Sequence, residues 1–160
     1  ESLLADLGPV LYVAPGPSPD AEQDPDWSAR IEAHRARRPI DWETVEGHDL
    51  VAALFRGRGR AVMIDCMGTW LTSIIDAAQA WEWSSEQLHD LVLGELSRTI
   101  RALKDYDAPW VLVTNEVGLG IVPSHRSGRI FRDLLGTVNQ RIGARCDEVH
   151  LVVAGRVLVL

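Results

Sequence analysis

The chain has 160 residues, 46% of them hydrophobic and 24% charged, enough for one soluble globular domain with a sizeable core. Its net charge of −7 argues against a non-specific nucleic-acid binder, which needs an excess of positive charge. No apolar run approaches the roughly 18 residues of a membrane span, and no charged-then-apolar leader opens the chain, so a cytoplasmic protein without a membrane span is expected. Cys66 and Cys146 lie far apart with no CxxC spacing, which fits reduced thiols.

In chain order, ESLLADLG at 1–8 reads as the last turns of a helix capped by Gly8. VLYVA at 10–14 is a continuous apolar run of the kind found in buried parallel strands. A Pro-, Gly- and Asp-rich loop leads to a helix expected from Ser28 to Arg37, stopped by Pro39. On it, Arg30, His34 and Arg37 or Arg38 recur at helical spacing. Neighbouring positive charge disfavours an imidazolium, so such a face suits contact with phosphate. On pattern alone a solvated basic face is the more ordinary reading, and both stay open.

IDWETVE at 40–46 alternates like a half-buried strand, and 48–55 reads as a short helix before the glycine–arginine turn RGRGR, expected to be solvated. AVMIDC at 61–66 is a second buried strand with Asp65 near its carboxyl end, and 69–81 is apolar at helical spacing. Ser84 and Gln87 form a capping-box pattern opening a long amphipathic helix to about Tyr106. WVLVT at 110–114 is a third buried strand, followed by NEVGLGIVP, a helix from about 127 to 144, and a fourth buried strand at 149–154. Apolar strands alternating with helices predict one domain over 1–160, an α/β fold with a mostly parallel open sheet covered by helices on both faces.

In such folds ligands collect beyond the carboxyl ends of the strands. This sequence brings Ala14, Pro15 and Gly16, then Asp65, Cys66 and Thr69, then Asn115 and the Gly118/Gly120 loop to that edge. An acidic residue after an apolar strand can hold magnesium beside a phosphate, and equally can cap the next helix. A GLG triplet is weak evidence for phosphate binding, and a turn needing positive φ explains it as well. A P-loop requires GxxxxGK[ST], and the only lysine, Lys104, lies in RALKD on the long helix. These residues hold no such motif, but the chain opens with the tail of a helix feeding a parallel strand, where a first strand, a P-loop and a first helix are expected to precede Glu1.

The ordered segments ARIEAHRARRPIDWETVE at 29–46, MIDCMGTWLTS at 63–73, VTNEVGLGIVP at 113–123, FRDLLGTVNQRI at 131–142 and DEVHLVVAGRVL at 147–158 carry a family resemblance. The chain resembles, over essentially its whole length, the bifunctional adenosylcobinamide kinase / adenosylcobinamide-phosphate guanylyltransferases of cobalamin biosynthesis. The resemblance implies a P-loop, RecA-like nucleotide-binding fold, often a homo-oligomeric trimer. It implies phosphorylation of adenosylcobinamide by GTP or ATP with Mg2+, then transfer of GMP from GTP to adenosylcobinamide phosphate, giving adenosylcobinamide-GDP. His34 stands where the family has its guanylylated nucleophile. Ala14, Pro15 and Gly16, Arg35, Ala36, Arg37 and Arg38, Glu46 and Asp65 stand where the family lines its guanine nucleotide. NEVGLGIVP is expected to touch the corrinoid. The chain departs from the family in lacking the GGxRSGKS motif within these residues, in Pro15 for a common threonine, Asp65 for glutamate and Ser73 for asparagine. Two alternatives stand beside this expectation: a GTP-binding homologue impaired in catalysis, and a P-loop kinase for another small alcohol.

Overall fold

A computed structural model describes residues 2–16, 25–36 and 38–160. Two compact units are present, Glu1–Asn115 and Glu116–Leu160. The first holds a four-stranded parallel sheet in the order β2-β1-β3-β4, made of β1 (Val10–Ala14), β2 (Glu43–Glu46), β3 (Ala61–Asp65) and β4 (Trp110–Val113). Its helices are α1 (Pro25–Ala36), α2 (Leu50–Arg56), α3 (Met67–Ala77) and α4 (Ser85–Lys104). The expected α/β class with a parallel sheet flanked by helices is what forms. Among the described residues no helix is long and apolar enough to cross a membrane.

Strand alternation sorts the sheet into two faces. Tyr12 is the register partner of both Thr44 and Met63, and Met63 is the partner of Val111. Two residues farther along, Ala14 pairs with Glu46 and Asp65 with Val113, so all of these side chains share one face. The apolar part of that face is a cluster of Leu4, Val10, Tyr12, Trp42, Ala61 and Met63. The opposite face presents Leu11, Val13, Val62 and Ile64, all fully buried. Helices α2 and α3 both pack on α4, whose buried stripe runs Leu88, Val92, Leu96, Thr99, Leu103. The capping box at the start of α4 forms as the sequence predicts: Gln87 N–H donates to Ser84 Oγ (3.2 Å) and Ser84 N–H to Gln87 Oε1 (3.0 Å).

Several boundaries differ from the sequence expectations. Residues Ser2–Leu4 make a 3-10 turn rather than the end of an α-helix, although Gly8 does adopt the positive φ (78°) expected of a cap. Helix α1 starts at Pro25, three residues before Ser28, since proline is favoured in the first turn where its missing N–H costs nothing. Trp42 N–H bonds back to Pro39 C=O, so a turn replaces the start of the expected 40–46 strand and leaves Ile40 fully exposed. Strand β4 is half-buried throughout rather than buried.

The RGRGR turn is largely solvated, as expected, with Arg56, Arg58 and Gly59 exposed, and it is also tied down by ion pairs. Arg56 and Arg60 both pair with Glu43, whose carboxyl is held below its ordinary range by the hydrogen bonds from Arg60 and Arg56. The Tyr106 hydroxyl sits against the carbonyls of Gly57 and Arg60, 2.7 Å from the latter. Gly57 has an ordinary φ of −81°, so close approach is what demands glycine. A Cβ there would lie 2.8 Å from Tyr106 Oη and from Val62 Cγ2, and 3.1 Å from Leu11 Cδ2. Gly57→Ala is expected to destabilise the chain by about 1–3 kcal/mol, the range for overpacking, read as a lowered urea midpoint at unchanged slope.

The second unit carries α5 (Arg126–Gly143), buried at Ile130, Leu134, Leu135, Val138 and Ile142, and a hairpin of β5 (His150–Val153) and β6 (Arg156–Val159). The expected fourth buried strand of the parallel sheet is thus an antiparallel hairpin with exposed Val152, Val153, Val157 and Val159. Ala154 and Gly155, at φ 50° and 73°, make the two-residue turn whose twist suits a hairpin.

Candidate functional site

A cavity of about 210 Å³ opens at the carboxyl ends of β1, β2 and β3, on the face that carries Tyr12 and Thr44. Three layers of sequence build it. The strand ends supply Ala14, Glu46 and Asp65, which alternation turns to one side. Helix α1 supplies Ile31, His34 and Arg35, neighbours at helical spacing. The residues after β1, β3 and β4 add Gly16, Cys66, Thr69 and Asn115.

Helix α1 has few apolar positions, and among its described side chains Ser28, Ile31 and His34 are half-buried and the rest exposed. The expected basic face therefore resolves differently. Arg35 lines the cavity, while Arg38 reaches it from beyond the helix end at Ala36. Arg37 and the side chain of Arg30 lie outside the described residues. Ala36 is exposed and absent from the cavity wall. Pro15 is buried and not in the wall either; its carbonyl accepts a 2.8 Å bond from Ser73 Oγ, tying the end of β1 to α3.

The polar floor is an ordered set. Tyr12 Oη donates to Asp65 Oδ2 at 2.6 Å. The Arg38 guanidinium lies 3.4 Å over the Tyr12 ring, and its Nη1 donates to Thr44 Oγ1 at 2.9 Å. Among the described residues the buried Arg38 Nε has no hydrogen-bond partner. An unpartnered buried donor costs stability, and the Arg38 side chain, which lines the cavity, suits an anionic ligand. Arg35 and Glu46 form an ion pair at the rim, both partly exposed, so these two charges offset one another. Burial first, and the Asp65 carboxylate second, push the Tyr12 hydroxyl well above the ordinary tyrosine range, so it stays protonated and remains a donor.

At the start of α3, Thr69 Oγ1 accepts from Cys66 N–H (3.3 Å) and donates to Cys66 C=O (2.8 Å), while Cys66 Sγ lies 3.4 Å from Asn115 Oδ1. Asp65 lines the cavity, and the N-cap of α3 is Cys66. In the 116–123 loop neither Gly118 nor Gly120 has a positive φ. The Gly118 N–H donates to Glu116 Oε1 at 2.6 Å, and a Cβ there would meet only that exposed carboxylate, which can move aside. Leu119 and Ile121 in the same loop are 85% and 95% exposed.

Sequence reasoning passed over Tyr12, Ile31 and Thr44. Each lies one alternation or one helical step from a residue it did single out: Tyr12 two before Ala14, Thr44 two before Glu46, Ile31 three before His34. The signal was there in the periodicity.

As a chemical device, the cavity gathers one imidazole, two guanidinium groups and two strand-end carboxylates, Glu46 and Asp65. The guanidinium groups suit an anionic ligand. Residues 1–160 match the family model described as cobinamide kinase / cobinamide phosphate guanyltransferase. The chain is 37% identical over 162 residues to proteins named bifunctional adenosylcobalamin biosynthesis protein CobU from Escherichia coli and from Salmonella typhimurium, covering 97% of this chain and 87% of each relative. It is also 37% identical over 161 residues to the bifunctional adenosylcobalamin biosynthesis protein CobP of Pseudomonas aeruginosa, covering 97% of this chain and 84% of that protein.

Proposed function

The chain belongs to the cobinamide kinase / cobinamide phosphate guanyltransferase family, and we propose that the cavity around His34 is where its guanylyl transfer takes place. One observation carries the reading: His34 and Arg38 line the same cavity at the carboxyl edge of the parallel sheet. A neutral imidazole nitrogen of His34 attacks the α-phosphorus of GTP. The bond from that phosphorus to the bridging oxygen breaks, pyrophosphate leaves, and GMP stays on His34 as a phosphoramidate. An oxygen of adenosylcobinamide phosphate then attacks the same phosphorus, the P–N bond breaks, and the imidazole is restored with adenosylcobinamide-GDP as product. Arg38, and Arg35 once its pairing with Glu46 is exchanged for the ligand, offset the charge that gathers on the phosphoryl oxygens.

Among the described residues no three His, Cys, Asp or Glu side chains gather to hold a metal by themselves. Magnesium would arrive with the nucleotide, since this ion is commonly held by one or two carboxylates together with substrate phosphates. Asp65 would hold it, Tyr12 engaging only one of its two oxygens. Bound there, the ion supplies charge neutralisation for the departing pyrophosphate. Phosphorylation of adenosylcobinamide, the family's other reaction, would use GTP or ATP. The exposed Leu119 and Ile121 suit an apolar face of the corrinoid. We extend the proposal to a single cytoplasmic nucleotide-binding domain that assembles as a homo-oligomer, a trimer by resemblance.

The test is direct. With GTP labelled at the α-phosphate and magnesium, the protein is expected to acquire an acid-labile, alkali-stable label that adenosylcobinamide phosphate discharges. Absence of label at saturating nucleotide would sink the reading and leave a nucleotide-binding homologue.

A further inference from the structure

We infer that Tyr12 is a positioning residue that keeps the cation Arg38 and the anion Asp65 apart on the cavity floor, so that both remain available to the nucleotide. The inference rests on the guanylyl-transfer reading above.

Among the polar side chains that line the cavity, Tyr12 is the one that is buried. It sits on β1, flanked in register by Thr44 and Met63, is 2% exposed, and its ring lies 6.5 Å from that of Trp42. Arg38 lies outside any regular element, two residues beyond the end of α1 at Ala36 and just before Pro39, with its N–H bonded to the Arg35 carbonyl at 3.2 Å, so the position of its side chain depends on what the side chain touches. Two contacts fix it: the Tyr12 ring beneath the guanidinium plane at 3.4 Å, and Thr44 Oγ1 at 2.9 Å from Nη1. Since Tyr12 and Thr44 are register partners, sheet pairing itself sets the distance between these two supports. On the other side the Tyr12 hydroxyl holds Asp65 Oδ2 at 2.6 Å.

Without Tyr12 the expected local outcome is plain. A guanidinium and a carboxylate on one half-buried floor attract, and a bidentate ion pair is their preferred arrangement. Yet among the described residues Arg38 and Asp65 form no ion pair, each being engaged by a different part of the same phenol. The ring takes the cation by its face and the hydroxyl takes the anion by its edge. Both charges are thereby ordered without being cancelled, which is the state a magnesium polyphosphate requires.

Because ring and hydroxyl do separate work, their effects should separate. Tyr12→Phe keeps the ring and removes the hydroxyl. It is expected to leave GTP affinity in EDTA within about twofold of wild type, and to raise the magnesium concentration for half-maximal labelling about tenfold, the scale for losing a partner of a metal-holding carboxylate. Thr44→Val is expected to do the reverse, weakening metal-free GTP binding several-fold with little change in magnesium dependence. Tyr12→Leu should do both, with metal-free affinity about tenfold weaker. Calorimetry with GTP in EDTA reads the first quantity and labelling against magnesium the second, on fractions checked for folding by melting. Should Tyr12→Leu fail to fold, the Phe and Val pair still carries the comparison.

A merely structural Tyr12 would lower the active fraction and shift neither midpoint. The inference is overturned if Tyr12→Phe leaves the magnesium dependence unchanged, or if both variants change amplitude alone. A wild-type chain that binds GTP without becoming labelled would overturn guanylyl transfer instead, and the calorimetry would still report on Tyr12.

Discussion

Replacement of His34 by alanine is expected to abolish covalent labelling and to lower guanylyl transfer by on the order of 10³-fold or more, the loss typical when a covalent nucleophile is removed. The effect should fall on chemistry and not on the fold. His34 is half-buried on a helix that contributes little to the core, and surface-like substitutions of this kind usually change stability by less than about 0.5 kcal/mol. Alanine is also a better helix former than histidine. GTP binding should survive, since Arg38, Thr44, Asp65 and Gly16 remain in the cavity wall. Measured together, an unchanged melting temperature, retained GTP binding and no label assign a chemical role to the imidazole. Free imidazole added to His34→Ala offers a second readout. If it restores transfer in part while the protein stays unlabelled, the lost group was a nucleophile and not a prop. Label persisting on His34→Ala would place the covalent GMP elsewhere.

How legible this site was in the sequence depended on which force set each residue's place. Where burial decides, the reading held: Val10–Ala14 forms a strand with the expected ends because a continuous apolar run has few other ways to hide. Where a local hydrogen bond decides, it also held, as in the capping box of Ser84 and Gln87. It slipped where chain geometry outside regular elements decides. Arg38 was counted as part of a helical face, but α1 stops at Ala36, and Arg38 is placed by the Tyr12 ring and Thr44. No helical spacing contains that contact, because it joins a turn to two neighbouring strands. The second unit slipped for a related reason. An apolar run at 149–154 is equally compatible with a parallel and an antiparallel partner, and only the positive φ at Ala154 and Gly155 turns the chain back on itself. Arg35 and Glu46 were both expected to meet the nucleotide; that they also pair with each other required the register of β2 against β1.

The arginine that slipped is also the one whose loss should matter most after His34. Arg38→Ala is expected to reduce guanylyl transfer by about 10²–10³-fold, the cost of deleting one preorganised group that meets charge developing on an oxyanion. The argument turns on preorganisation. Arg38 is stacked and hydrogen-bonded before any nucleotide arrives, so little of its ordering remains to be done when pyrophosphate begins to leave. Arg35 differs: it is held by Glu46 at the rim and must give up that pair to serve the ligand, so Arg35→Ala should cost far less, about tenfold. Lysine separates charge from shape. Arg38→Lys keeps the positive charge but has no planar fork to stack on Tyr12 while bonding Thr44, so it should recover only a small part of the loss. The measurement is the single-turnover rate of labelling at saturating GTP, which isolates formation of the P–N bond from binding. If Arg38→Lys labels as fast as wild type, Arg38 acts through charge alone and its place over Tyr12 is incidental. If Arg35→Ala proves the more damaging, the rim pair and not the floor carries the transition state.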